Sequence, residues 1–163
     1  MDDIVKGSLE DVFCCVTLEM DTIRKVVSDV PKFEFYIENP DKVGDLNLPA
    51  AIRGALNMFY EAFIAIFQYI VTFQKITITT RDWQTATLWA VKADPDNGIP
   101  GVINGRLFLK LYPYQTLAHM IQMRQFERID HARCEKLIRD LPEVAQQLSL
   151  QLKEFFLRQR YQD

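Results

Sequence analysis

Apolar residues recur at steps of three and four along much of this chain. Leu9, Val12, Val16, Met20, Ile23, Val27 and Val30 form the first run, a spacing that lines side chains along one face of an α-helix. Ser8, followed by Asp11, has the chemistry of an N-cap with an acidic first turn. Pro31 disfavours the helical conformation at the residue before it. The pattern therefore predicts a helix from about Leu9 to Asp29. The stretch KFEFYIENPDKVGDLN reads as a loop, punctuated by Pro40 and Gly44, whose three aromatic residues fold back onto the helices.

The second run is stricter. A helix starting near Leu48-Pro49, where proline suits a first turn, carries Ile52, Leu56, Phe59, Phe63, Ile66, Ile70 and Phe73 at four-three spacing. Its most apolar stretch, LNMFYEAFIAIFQYIVTFQK, approaches the roughly 20 residues a membrane span requires. Asn57, Glu61, Gln68, Thr72 and Lys75 nevertheless fall on one narrow polar stripe. A carboxylate at mid-depth costs about 2.5–3.5 kcal/mol or more on insertion scales. The expectation is a core helix with one solvent-facing edge and no stable membrane span. A partner-facing or membrane-surface face is the alternative.

The remainder is less regular. KITITT suits a short extended piece, and RDWQTATLWAVKA a helix with Trp83, Ala86 and Ala90 on one side. DPDNGIPGVINGR is dense in turn formers, and RLFLKLY fits strand or helix. Pro113 is read as opening a helical region with a break near Gln125. Asp140-Leu-Pro-Glu143 is read as the cap of a last helix, with Val144, Leu148, Leu152 and Phe155 on its inner face. The expected fold is an all-α bundle of four to six helices, a single domain over residues 1–163, with a loop-rich interruption around 76–112.

Composition narrows the function classes. The 163 residues include 48% hydrophobic and 25% charged residues, which places the chain among globular proteins. Residues 1–75 hold 7 Lys/Arg against 12 Asp/Glu, and residues 76–163 hold 12 against 10. That balance disfavours a dedicated nucleic-acid binder, which carries a basic excess, but leaves room for a local patch. Cys14, Cys15 and Cys134 lack metal-type spacing and are odd in number. With no targeting pattern in MDDIVKGSLEDVF, they point to a reducing, cytoplasmic setting.

Candidate chemistry is sparse. Arg124 and His131 bracket RQFERIDH, a spacing similar to that of the all-helical ribonucleases of the HEPN group. There the arginine would stabilise phosphate charge and the histidine would transfer protons. The alternative is a solvated helix face on which Arg124, Glu127, Arg128, Asp130, Arg133, Glu135, Lys136 and Arg139 pair at i,i+3 and i,i+4. His131 and Cys134 share a face, yet no second ligand pair stands at suitable spacing, so neither a metal nor a cofactor is expected. No G-x-S-x-G and no glycine-rich phosphate loop occurs.

One resemblance adds to this. Val30-Pro31-Lys32-Phe33, Tyr36, Ala51-Ile52, Tyr60-Glu61-Ala62-Phe63 and Phe73 resemble the helical N-terminal region of fungal STAND proteins, the NLR-like receptors that carry a NACHT ATPase further along. In that family a helix typically ends in an I/V-P-[RK]-[FY] pattern, and an amphipathic helix follows. The likeness covers about residues 8–75 and implies an adaptor or effector module acting through partner binding, self-association or membrane engagement. The leading expectation is a non-enzymatic, intracellular interaction module, with a role in immune-like or cell-death signalling. A second is a small helical subunit of a CRISPR-type nucleoprotein complex, with Arg124, Arg128, Arg133, Lys136 and Arg139 facing the nucleic-acid backbone. A HEPN-like ribonuclease is the third.

Overall fold

The computed structural model describes the backbone of residues 2–161 and the side chains of residues 9–161. Among them it shows α1 (Asp2–Glu38), α2 (Leu48–Phe73), α3 (Trp83–Val91), α4 (Gly105–Gln122) and α5 (His131–Tyr161), with short 3₁₀ turns between. The described residues contain no β-strand, only isolated bridges pairing Lys92 with Ile103 and Asp94 with Ile99. The protein is an all-α helical bundle, with five α-helices among the described residues.

Helix α2 is the axis because its apolar residues extend beyond one stripe. Ile52, Leu56, Phe59, Phe63, Ile66 and Ile70 are buried as the heptad spacing predicts, and Tyr60, Ala62, Ile64, Phe67 and Val71 are buried as well. A helix buried on so wide an arc needs neighbours on several sides. Helices α1, α3, α4 and α5 all pack against it. Asn47 caps it, its side chain accepting the Ala50 N–H at 3.2 Å, with Pro49 in the first turn. The buried side chains of all five helices form one continuous cluster.

Four predicted boundaries are overturned, and three of them rest on proline. Helix α1 begins at Asp2 and continues through Pro31 to Glu38, so Ser8 is not its cap; the Ser8 side chain lies outside the described residues. Of the three aromatics assigned to a loop, Phe33 is buried, Tyr36 is half-buried and Phe35 is 51% exposed, all on the helix. Helix α4 runs through Pro113, with RLFLKLY as its first turns, and α5 runs through Pro142. The true cap of α5 is Asp130, whose carboxylate accepts the Ala132 N–H at 3.0 Å. An interior proline costs about 3 kcal/mol, whereas burying one large apolar side chain contributes about 1.5–3 kcal/mol. Beyond Pro142 lie Val144, Leu148, Leu152 and Phe155, all buried, which outweighs the defect.

The interruption expected around 76–112 is smaller than the sequence suggests. KITITT forms no strand, α3 buries Thr87, Leu88 and Val91, and α4 claims everything from Gly105 on. Trp83 and Ala90 are only partly buried against the core, and Ala86 is half-buried, so the inner face of α3 is rotated from the expected one. The chain breaks after Gln122, where Arg124 takes a left-handed φ of 54°, close to the break read near Gln125.

Tyr114 ties α4 to its neighbours. It is 1% exposed, its hydroxyl donates to the Leu137 carbonyl at 2.7 Å, and its ring meets Phe59 edge-on at 4.9 Å. Burial, with the nearby Asp140 charge, pushes its phenol well above the ordinary 10.0. Burial and the charges of Asp82 and Glu61 do the same to Tyr60. A folded pKa above the unfolded one means that the folded state holds a proton the unfolded chain releases. Stability from this source is full below about pH 10 and declines as pH rises further. Urea denaturation at neutral and strongly alkaline pH should show that decline. Tyr114→Phe should make it shallower while lowering stability by about 0.5–1.5 kcal/mol at neutral pH.

Candidate functional site

Where α1 and α5 meet, the helical repeat leaves large apolar side chains uncovered. Leu9 and Phe13 stand one turn apart on α1, and Phe156 and Leu157 come from α5. Phe13 packs edge-on against Phe156 at 5.4 Å, and Phe156 packs on the buried Phe155 at 5.3 Å. Although anchored to the core in this way, Phe13 is 53% exposed and Leu157 52%. Together they line a groove of about 760 Å³. Charges of both signs border it, with Glu10 from α1 and Lys153 and Arg160 from α5, and the exposed Cys14 thiol opens into it. The groove was missed in the sequence because Phe13 falls one position off the inner stripe of α1. The legible signal is Phe13, one turn after Leu9 but off the stripe that Leu9 opens.

A second site is polar. Helices α2, α3 and α4 border an open cleft of about 230 Å³ whose lining includes Tyr60, Asp82, Thr85, Tyr112, Gln115 and His119. Asp82 caps α3, its Oδ1 accepting the Thr85 N–H at 3.4 Å. Gln115, 6% exposed, donates from Nε2 to the Thr85 hydroxyl. Its carbonyl oxygen is enclosed and has no hydrogen-bond partner. The sequence carries this wall of α4 as polar residues at helical spacing, Tyr112, Gln115, Thr116, His119 and Gln122.

The residues singled out for nucleic-acid chemistry fall elsewhere. Arg124, Arg128, Arg133, Lys136 and Arg139 are all exposed, around the α4–α5 connection and the first turns of α5. Acidic side chains are interleaved with them, and Lys136 pairs with Asp140 at 3.4 Å. Arg124 ends up in the connection and His131 at the start of α5, so the two do not share one helix. His131 Nε2 lies 3.1 Å from the Glu135 carboxylate, and its Nδ1 is buried without a hydrogen-bond partner. Cys134 is 1% exposed, and burial pushes its thiol above the ordinary value, which disfavours the thiolate that a metal or a nucleophilic reaction requires. Among the described residues, no group of three or more His, Cys, Asp or Glu is placed to hold a metal ion.

On α2, Glu61, Gln68 and Thr72 are exposed, and Asn57, half-buried, donates to Glu61 at 3.1 Å; Lys75, expected on the same stripe, is exposed but lies past the helix end with a left-handed φ of 60°. By length and composition this helix is apolar enough to cross a membrane, and 56% of its most apolar window is buried inside the fold.

No protein-family model matches the chain. No curated protein and no solved structure matches it either.

Proposed function

We propose that this protein is a non-enzymatic interaction module that self-associates through the α1–α5 groove. The observation that carries the reading is the pair Phe13 and Leu157, each about half exposed, lining one apolar groove. Large exposed apolar surface rimmed by polar groups marks interaction sites. The occupant we assign is a second copy of the chain. A two-fold contact places the same patch on both sides, so a patch bearing both charges is complementary to itself. Here Glu10 of one copy would meet Lys153 or Arg160 of the other, around an apolar centre. The resemblance to the N-terminal region of STAND proteins supports an adaptor or effector role of this kind, although Val30, Phe33, Tyr60 and Phe63, which help to carry it, are core positions. In this chain the helix also runs on past Phe33 to Glu38.

Sedimentation velocity over a concentration series tests the reading. A concentration-dependent dimer with a dissociation constant in about the micromolar range is expected. Phe13→Asp should shift it to monomer, whereas Leu109→Asp, at a 70% exposed position outside the groove, should not. Glu10→Lys should weaken the dimer, and adding Lys153→Glu should restore it. A wild-type chain that stays monomeric throughout, or a dimer indifferent to Phe13→Asp, overturns the proposal.

A further inference from the structure

We infer that the face built by α3 and the first half of α4 docks on an anionic lipid surface. Three of its large apolar side chains stay out of the core: Leu109 is 70% exposed, Trp89 52% and Tyr112 40%. The buried Phe108 links the two aromatic residues, its ring centroid 4.6 Å from that of Trp89 and 5.8 Å from that of Tyr112. On α4, Arg106, Leu109 and Tyr112 recur at steps of three, all exposed, so the helix presents them on one side. The Lys92 ammonium stands 5.1 Å from the ring centroids of both Trp89 and Phe108, within the same patch.

Charge selects the partner. The chain has a net charge of −3, yet residues 97–126 contain no Asp or Glu, and neither does α3. Lys92 and Arg106 form no ion pair among the described residues, while Lys110 pairs with Glu143 at 3.2 Å. Of the carboxylates that flank α3 in sequence, Asp82 caps the helix and Asp94 accepts from Asn97 Nδ2 at 2.6 Å, with Asp96 in the turn beyond. A projecting leucine enters the acyl boundary, Trp and Tyr settle at headgroup depth, and unpaired cations meet anionic headgroups. A single-stranded nucleic acid would also meet the cations, but it stacks its bases on open ring faces. The Trp89 ring is already engaged by Lys92 and Phe108. None of these residues lines the α1–α5 groove, so the docking face stands apart from self-association.

Flotation of the full chain with vesicles tests the inference. Vesicles of phosphatidylcholine with about 30% phosphatidylserine should carry the protein upward, and pure phosphatidylcholine should not. Raising salt from about 0.1 M to about 1 M should weaken the binding several-fold. Arg106→Glu combined with Leu109→Ser, both at exposed positions, should weaken it about ten-fold or more. Phe35→Ser, at a 51% exposed position on α1, should leave it unchanged. In a Trp83→Phe background Trp89 is the one tryptophan left, and its emission should shift to the blue as anionic vesicles are added. Failure to float with the anionic vesicles overturns the inference, as does equal flotation with phosphatidylcholine alone. So does an Arg106→Glu, Leu109→Ser variant that floats like the wild type, or flotation without a change in Trp89 emission. A wild-type chain that ignores vesicles but binds single-stranded oligonucleotide through Arg106 and Leu109 would make this a nucleic-acid surface, and overturns it too.

Discussion

Replacing Phe63 with alanine is expected to destabilise the protein by about 3–5 kcal/mol, the range for removing a fully buried phenylalanine ring. Phe63 is 0% exposed and stands at the centre of an aromatic column on α2. Its ring centroid lies 5.3 Å from Phe59 and Tyr60 and 5.9 Å from Phe67. Phe59 extends the column to Tyr114 of α4. Truncation removes the transfer energy of the ring and the edge-to-face contacts, and it leaves a cavity that the three neighbouring rings cannot collapse around. Against a typical total stability of about 5–15 kcal/mol, that loss decides whether the domain folds. Met58→Ala, at a 50% exposed position on the same helix, should stay within about 0.5 kcal/mol. Equilibrium denaturation of both variants checks the contrast, and equal losses would remove α2 from its central place.

Gly101→Ala is expected to be the most damaging single change outside the helices. The loop between α3 and α4 folds back on itself: Ala93 N–H donates to the Ile103 carbonyl at 2.7 Å and Val102 N–H to the Val91 carbonyl at 2.8 Å. Gly101 sits in this crossing with φ of 62°, and a Cβ built on it meets Ala93 N at 2.5 Å and Lys92 C at 2.8 Å. Those atoms are backbone and cannot swing away. The left-handed conformation costs an alanine about 1–2 kcal/mol, and forcing atoms into a packed site adds about 1–3 kcal/mol. Displacing the loop would also draw Val102 and Ile103, 3% and 1% exposed, out of the core. It would break the bond from the Arg158 guanidinium to the Gly101 carbonyl at 2.8 Å. Gly98→Ala is the control. Its φ of 69° carries the same backbone strain, but nothing lies within 4 Å of the added carbon. The difference in melting temperature between the two variants isolates the steric part, and matching temperatures would mean the crossing yields.

Parts of the fold were legible because a single face decided them. The stripe from Ile52 to Ile70 is apolar at every inward position, so periodicity locates α2, and Pro49, suited to a first turn, locates its start at Leu48. The inner face of α5 was likewise readable from Val144, Leu148, Leu152 and Phe155. The boundaries at Pro31, Pro113 and Pro142 were misread because the restriction imposed by proline is local, whereas the burial that overrides it comes from other helices. Leu111 and Tyr114 flank Pro113, and Leu141 and Val144 flank Pro142, all buried in contacts that no short window contains. The polar cleft was hidden for a similar reason. Tyr60 on α2, Asp82 at the cap of α3 and Gln115 on α4 are far apart in sequence, and only the α4 wall has a local pattern. The basic residues around the start of α5 are conspicuous in the sequence, yet they form an exposed face with interleaved acidic residues, and only Arg128 and Arg133 among them line a common small pocket, which Asp130 shares.

The interior prolines have a dynamic consequence. Each deprives the carbonyl four residues earlier, at Val27, Leu109 and Ile138, of its usual helical donor. A long helix ordinarily opens by fraying inward from its ends. In α1, α4 and α5 the hydrogen-bond ladder has a gap partway along, so local opening has an internal starting point as well. These three rods are thus segmented, while α2, without an interior proline, is an unbroken spine against which the segments can breathe independently.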